Sequence, residues 1–334
     1  MKKIITVLCL IAMLFAAAGC SGKKEEGPAK TELELVSTLD QAILSLASGK
    51  CDAVALDGTT AQNYVDQSNG QFAMSGVNFD LTIYGDYEGN VVAAKKGETS
   101  LMEVVNQCIN TVTSTPSGHV PEGYTDNYYT WWTALAKLQS GTEDESAIAI
   151  VGEYPIYNGI EPDETYNYLV DTTDLVKPEL DLSNADGVLK NILNKGVMVI
   201  ATSPDYPANE WIDDDGVVWG CEMMLAKYVA DCLGVSLQIE TMDFSAVLTA
   251  VDTGKVDIAF SGFGWKADRA ESFELSMGYS GDDNVTFHTL IVPADQAVNY
   301  NSLADFQGKH IIAQAGSLQQ MYVEDQIVAL DEQQ

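Results

Sequence analysis

The chain has 334 residues, enough for two domains with cores of their own, and 46 % hydrophobic content with 9 % aromatic residues excludes a disordered polymer. Seventeen Lys and Arg against 49 Asp and Glu give a formal net charge of -32, which repels nucleic acid and anionic lipid surfaces, so nucleic-acid binding is set aside. The acidity is spread along the chain and describes a solvated surface more than a mechanism.

Residues 1–20 read as a targeting segment, with Lys2 and Lys3 ahead of an apolar run from Ile4 to Ala18 and small residues leading to Cys20. Ala17-Ala18-Gly19-Cys20 resembles the bacterial lipobox, which implies a lipid on Cys20, and residues 21–30 follow as a polar tether. No later segment approaches the roughly 18 consecutive apolar residues that span a bilayer. The expected location is the extracytoplasmic face of the cell membrane, with lipid as the anchor.

After the tether the pattern predicts strand 33–36, helix 38–48 capped by Thr38, strand 51–56 and helix 60–67, the material of a parallel sheet. Strand 90–94, a turn at 95–99 and helix 100–113 follow. A loop rich in Pro and Gly over 115–124 leads to an aromatic helix over 126–138, where Trp131 and Trp132 are expected to pack. Residues 141–187 are acidic, rich in tyrosine and irregular, and read as a connector.

Regular alternation resumes with helix 188–193, strand 197–201, a loop bearing Tyr206 and Trp211, an acidic turn at 213–216, and helix 222–233, stopped by Gly234. Strand 236–240, helix 245–253 and strand 256–260 complete a second series. An extended segment 285–292, a short helix 303–306, strand 310–314 and helix 318–330 close the chain.

One short pattern occurs twice: Gly49-Lys50-Cys51-Asp52 and Gly254-Lys255-Val256-Asp257 each link an apolar-periodic helix to a short apolar strand. Two similar α/β lobes are therefore expected. In open α/β sheets a ligand sits beyond the carboxyl ends of the strands, which makes Asp57 and the run 261–269 site candidates.

Gly262-Phe263-Gly264-Trp265-Lys266-Ala267 matches a dinucleotide-binding pattern in form, but no following strand ends in the acidic residue that takes the ribose. No cofactor is expected. The glycines still let a ligand approach the backbone, and Arg269 can grip a carboxylate through two hydrogen bonds.

Cys9 lies in the signal and Cys20 at the lipobox, leaving Cys51, Cys108, Cys221 and Cys232 without a C-x-x-C pair; the three histidines are scattered, so no metal site is expected. Cys221 and Cys232 stand three helical turns apart, roughly 16 Å, too far for a disulfide. Other pairings stay open. The acidic turn lacks the spacing of a calcium loop, and no nucleophile elbow or H-E-x-x-H appears. Nothing points to catalysis.

Residues 188 to about 330 resemble the opening half of the family 3 extracellular solute-binding proteins, the amino-acid receptors of ABC importers. The matching residues run from Gly196-Val197-Met198-Val199-Ile200-Ala201-Thr202 and Asp205-Tyr206-Pro207 through Leu233-Gly234-Val235, Gly254-Lys255-Val256-Asp257 and Arg269-Ala270 to Asp305-Phe306-Gln307-Gly308-Lys309 and Gln314-Ala315-Gly316-Ser317. Residues 33–113 resemble the closing half, through Gly49-Lys50-Cys51-Asp52-Ala53, Leu56-Asp57 and Lys95-Lys96-Gly97. The halves stand in reversed order, which looks like a circular permutation with its cut in an exposed polar turn of the second lobe; a tandem protein truncated at both ends would give the same order.

The resemblance implies a two-lobed α/β fold of the periplasmic-binding-protein type II class. Its expected division is signal 1–20, tether 21–30, the second part of lobe 2 over 31–94, a return to lobe 1 over 95–140, connector 141–187, lobe 1 over 188–286, and the hinge with the first part of lobe 2 over 287–334. It implies a free amino acid as ligand, no catalysis, and an ABC permease as partner. Arg269 would take the α-carboxylate and Asp57 the α-ammonium; Ser317, at the turn with Gly316, would add hydrogen bonds, and Tyr206 and Phe244 would wall the side-chain pocket. Gly262, Gly264 and Leu318 complete the implied ligand-binding set, with Gly264 standing where the family often has Ser or Thr. The rival readings are an enzyme on the same scaffold, similar to a cyclohexadienyl dehydratase, and a ligand-sensing protein.

Overall fold

The computed structural model describes residues 29–84, 89–112, 127–139, 175–213, 216–279 and 287–332. The expected signal, Cys20, most of the tether, the loop 115–124 and most of the connector lie outside the described residues.

Two five-stranded sheets organise the chain. The strands of the first are β1 (Glu32–Val36), β2 (Ala53–Asp57), β3 (Phe72–Asn78), β12 (His288–Pro293) and β13 (His310–Gln314), in spatial order β1-β13-β2-β12-β3. The second holds β4 (Asn90–Lys95), β5 (Val197–Thr202), β9 (Ser236–Thr241), β10 (Ile258–Gly264) and β11 (Phe273–Leu275), in order β9-β5-β10-β4-β11. In both, three parallel strands are followed by one antiparallel strand, β12 or β4, and then by a strand, β3 or β11, that pairs antiparallel to it and so runs with the first three. We call the first sheet with its helices lobe A and the second lobe B. The chain passes from A to B between β3 and β4 and returns between β11 and β12.

Helices cover both faces of each sheet, so the central strands are apolar on both sides and carry no alternation. In lobe A, α1 (Leu39–Ala47) and α2 (Gly58–Gln67) bury Leu39, Leu46 and Ala61 on one face, against Val54, Leu56 and Ile312. On the other face α9 (Leu318–Val323) packs Tyr322 and Val323 on Ala53, Leu290 and Ile311. In lobe B, α7 (Phe244–Asp252) covers one face through Val247 and Val251. The opposite face carries α3 (Thr99–Val112), α4 (Asn127–Gln139), α5 (Gly187–Lys195) and α6 (Cys221–Leu233). Helix α6 is buried almost throughout, and its Glu222 carboxylate accepts from the hydroxyls of Tyr128 on α4 (2.8 Å) and Tyr279 (2.7 Å). A buried acid is thereby partnered, and α4 with its buried Trp131 is fixed to the lobe.

Four features depart from the sequence-based expectation. Strand β3 was not anticipated: Gly76, at φ +77°, and a register shift against β12 interrupt its alternation. The division at residue 94 falls inside β4, whose partners are β10 and β11; a strand buried on both faces reads alike whichever sheet it joins, and pairing alone decides. The loop at Tyr206 is a small antiparallel sheet of β6 (Asp205–Tyr206), β7 (Glu210–Ile212) and β8 (Val218–Trp219), whose strands are too short to show a period. The helix expected over 318–330 follows its course but widens to a π-turn over Glu324–Val328.

Candidate functional site: a cleft between the two sheets

The carboxyl end of β2 is Asp57, which also caps α2: its Oδ1 accepts from the backbone N–H groups of Thr59 (3.1 Å) and Thr60 (3.0 Å). Facing it across the lobes, β10 ends at Gly264 and leads to α8 (Ala267–Ser272), which carries Arg269. Arg269 is 4 % exposed, donates from Nη1 to the Gly264 carbonyl and stacks its guanidinium over the Phe263 ring at 5.2 Å. Those contacts fix the direction of a side chain that is otherwise long and mobile.

Between these strand ends lies a cleft enclosing about 630 Å³, part of it open to solvent. Asp57, Tyr206, Phe244, Gly262, Gly264, Arg269, Ser317 and Leu318, the eight residues singled out in the sequence, all line it. Phe244 leans on Phe263 with ring centres 5.0 Å apart. Gly262 has φ +53°, and a Cβ there would meet the Tyr206 ring at 2.8 Å. The missing side chain thus makes room for Tyr206. Ser317 caps α9: its hydroxyl donates to the Gln314 carbonyl (2.7 Å) and accepts from the Gln320 N–H (3.1 Å).

Among the lining residues that sequence reasoning missed, three are titratable. Glu210 on β7 is 1 % exposed; one carboxylate oxygen accepts from Ser261 Oγ (3.3 Å), and Oε2 has no hydrogen-bond partner among the described residues. Burial, then the nearby Glu222 and Asp205, push its carboxyl well above the usual range. His288, buried at the start of β12 and paired in register with Asp57, has its pKa pushed down to about 4 by burial, with Asp57 pulling the other way. Asp205 bridges the lobes: Oδ2 accepts from the Leu39 N–H (3.0 Å) and from Gln314 Nε2 (2.7 Å), while Oδ1 accepts from Ser203 Oγ (2.8 Å). Burial raises its pKa against those hydrogen bonds. The one available signal was an acidic residue, Glu210, flanked by apolar-rich sequence; a three-residue strand gave it no periodicity to violate.

The chemistry of this wall is specific. One end offers a buried guanidinium, the opposite lobe a carboxylate, and the floor a buried acid with an open acceptor; among the described residues no cluster of ligating side chains could hold a metal ion. Such a cleft suits a small zwitterion, each charge met by its opposite.

Residues 198–297 match the sequence profile of the bacterial extracellular solute-binding proteins, family 3. The chain is 29 % identical over 126 residues to the arginine-binding extracellular protein ArtP of Bacillus subtilis, an alignment covering 38 % of this chain and 47 % of that one. It is 34 % identical over 84 residues to the arginine-binding protein ArgT of Corynebacterium glutamicum, covering 25 % and 28 %. The chain thus spans about half or less of the curated relatives it matches. Among solved structures, an ancestral cationic amino-acid solute-binding protein, AncCDT-1, aligns at 29 % identity over 25 % of this chain and 37 % of that one, with a TM-score of 0.25. Through residues 198–297 the chain is related to the family 3 bacterial extracellular solute-binding proteins.

Proposed function

We propose that the protein is an extracytoplasmic receptor that closes its two lobes over one free amino acid with a cationic side chain and delivers it to an ABC importer. The observation that carries this reading is the set of groups lining one cleft: the Arg269 guanidinium from lobe B, the Asp57 carboxyl from lobe A, and the buried acid Glu210, whose unpartnered oxygen is an open acceptor and whose ionised form a cation beside it would favour. Arg269 takes the α-carboxylate, and Asp57, whose Oδ1 is committed to capping α2, meets the α-ammonium. Ser317 and Leu318 contribute from the start of α9, and Tyr206 and Phe244 flank the ligand's aliphatic stem. Glu210 receives a guanidinium or ammonium at the far end. The names of the relatives, arginine-binding in two cases, support the same ligand class. Charge-assisted contacts of about 1.5–3 kcal/mol each separate such a ligand from analogues lacking one charge.

Calorimetry of the chain against the twenty amino acids tests it. Stoichiometric binding of arginine or lysine is expected, and no heat with any amino acid overturns it. The protein has no catalytic role in this reading; turnover of a cyclic acid would replace it with the dehydratase-like alternative. The chain order belongs to the same proposal: the parallel pairing of β1 with β13 supports a circular permutation, and a re-ordered chain that begins at lobe B should bind the same ligand. Export and anchoring through Cys20 complete the reading, and fatty-acid labelling should be lost in Cys20→Ala.

A further inference from the structure

The chain crosses between the lobes twice, after β3 and after β11. β3 and β12 stand at one edge of the lobe A sheet, and β4 and β11 at one edge of the lobe B sheet, so both crossings run along one side of the cleft. The opposite edges carry β1 and β13 in lobe A and β9 and β5 in lobe B, and the segments that follow these strands touch directly. The turn after β13 comes up against the start of α7: a Cβ built on Gly316 would lie 3.5 Å from Ser245 Cα. Tyr206 of lobe B packs on the lobe A cluster that holds Leu39 and Leu56. Asp205 stands at this contact. Its Oδ2 accepts from two lobe A donors, the Leu39 N–H at 3.0 Å and Gln314 Nε2 at 2.7 Å, while Ser203 Oγ of its own lobe donates to Oδ1 at 2.8 Å. Leu39 opens α1, where the N–H has no partner within the helix and a carboxylate is favoured. Gln314 is held in place by its second amide hydrogen bond, to the Ser37 carbonyl at 3.1 Å.

We propose that Asp205 is a latch across the mouth of the cleft, on the side away from the crossings, and that it holds the lobes together even when the cleft is empty. The proposal rests on the reading above that the lobes open and close over a ligand. Rotation about the crossings separates most the groups that lie farthest from them, so opening must break the bonds from Leu39 and Gln314 to Asp205. A second contact between the lobes gives the contrast. Lys266, two residues past β10, donates to Met321 Sδ at 3.1 Å and lies 5.9 Å from the centre of the Tyr84 ring. That contact is beside a crossing, where the neighbouring Trp265 N–H reaches the Gly89 carbonyl at 3.1 Å. It moves little in the same rotation. Asp205 makes its lobe A bonds in the closed form alone, so it shifts the population towards closure and lengthens the residence of whatever is inside.

The test is small-angle X-ray scattering of the full chain without ligand. Asp205→Ala should shift the profile to a larger radius of gyration than that of the parent. Gln314→Ala removes a lobe A partner and should shift it the same way, which keeps the test alive if Asp205→Ala fails to fold. Lys266→Met removes the contact beside the crossing and should leave the profile unchanged. Profiles of Asp205→Ala and Gln314→Ala that superimpose on the parent overturn the latch, and so does an equal expansion in Lys266→Met. Stopped-flow binding of L-arginine gives the second reading: dissociation from Asp205→Ala should be about tenfold faster, with association no slower. Slower association with an unchanged ligand-free profile would make Asp205 a ligand contact and overturn the latch. If L-arginine does not bind the parent, the proposed ligand class falls, and the ligand-free scattering still decides the latch.

Discussion

The two Gly-Lys-x-Asp turns have nearly the same geometry and lead to different chemistry. In each the glycine sits in the left-handed region just past the helix, φ +67° at Gly49 and +71° at Gly254, and the next lysine N–H returns to a carbonyl five residues back, Ser45 and Ala250. In each the aspartate grips the neighbouring parallel strand twice. The backbone N–H of Asp52 reaches the His310 carbonyl and its carboxylate accepts the His310 N–H, both 2.8 Å; Asp257 does the same to Val199, again at 2.8 Å. The resemblance ends at the far end of the strands. β2 stops at Asp57, which caps the next helix at once, whereas β10 runs on to Gly264 and reaches Arg269 only through α8. The turn is a folding device that sets strand register in both lobes, and the opposite charges that face the cleft come from the last residue of β2 and from the helix after β10.

The largest effects should come from the strand ends. Arg269→Ala and Asp57→Ala should each weaken amino-acid binding well over tenfold in calorimetry, because each leaves a ligand charge buried and unpaired. Asp57→Ser sharpens the contrast: a serine keeps the α2 cap, so binding should fall while the unfolding free energy stays within about 1 kcal/mol of the parent. Near-native affinity in any of these would break the assignment.

Next come two buried titrating groups, one per lobe, with opposite signs. In lobe B, burial pushes Glu222 up to about 7, against the hydrogen bonds from Tyr279 and Tyr128, so its contribution is complete below about pH 4.5 and lost as pH rises through 7. In lobe A, His288 at about 4 stays neutral when folded, so stability falls as pH drops from about 6.5 to 4. Each is worth up to about 3 kcal/mol across its window. Chemical denaturation against pH should show Glu222→Gln reducing the first slope, to which the raised Glu210 carboxyl also contributes, and His288→Gln removing the second; an NMR titration of His288 with a midpoint near 6.5 would contradict the burial argument.

Smaller effects test the turns themselves. Asp52→Ala and Asp257→Ala should each cost about 1–3 kcal/mol in urea unfolding, since each strands a backbone N–H of the adjacent strand. Asp257 should sit at the upper end, because Lys195 also reaches it at 2.7 Å, although that lysine is 42 % exposed and the pair adds little. Gly49→Ala and Gly254→Ala should cost about 1 kcal/mol each and equally: a Cβ at either position would meet nothing within 4 Å, so only backbone strain is left. Unequal costs would mean the two turns are less alike than their hydrogen bonds.

Much of the fold was legible because its signals are local. Thr38 caps α1, Gly234 stops α6 in the left-handed region, and the two-sided apolar strands at 53–57 and 258–264 announce a covered parallel sheet. What was illegible has a physical reason in each case. β3 carries a glycine and a register shift, and β6, β7 and β8 are two or three residues long, below any period. Glu210 therefore gave no sign that its carboxylate is buried in the cleft, and nothing near Asp205 announced its hydrogen bonds to Leu39 and Gln314 in the other lobe.

By itself, then, the sequence determined which segments are helix and strand, that two lobes share one design, and which charged side chains stand at the strand ends. Those properties arise from caps, periodicity and residue type within a few positions. Only the tertiary structure decided that β1 pairs with β13, that β4 belongs with β10, and that eight separated residues line one cleft with Glu210 and His288 among them. Strand pairing and burial depend on partners some 50 to 280 positions away, and a short strand or a lone carboxylate carries no local mark of the neighbour it will meet.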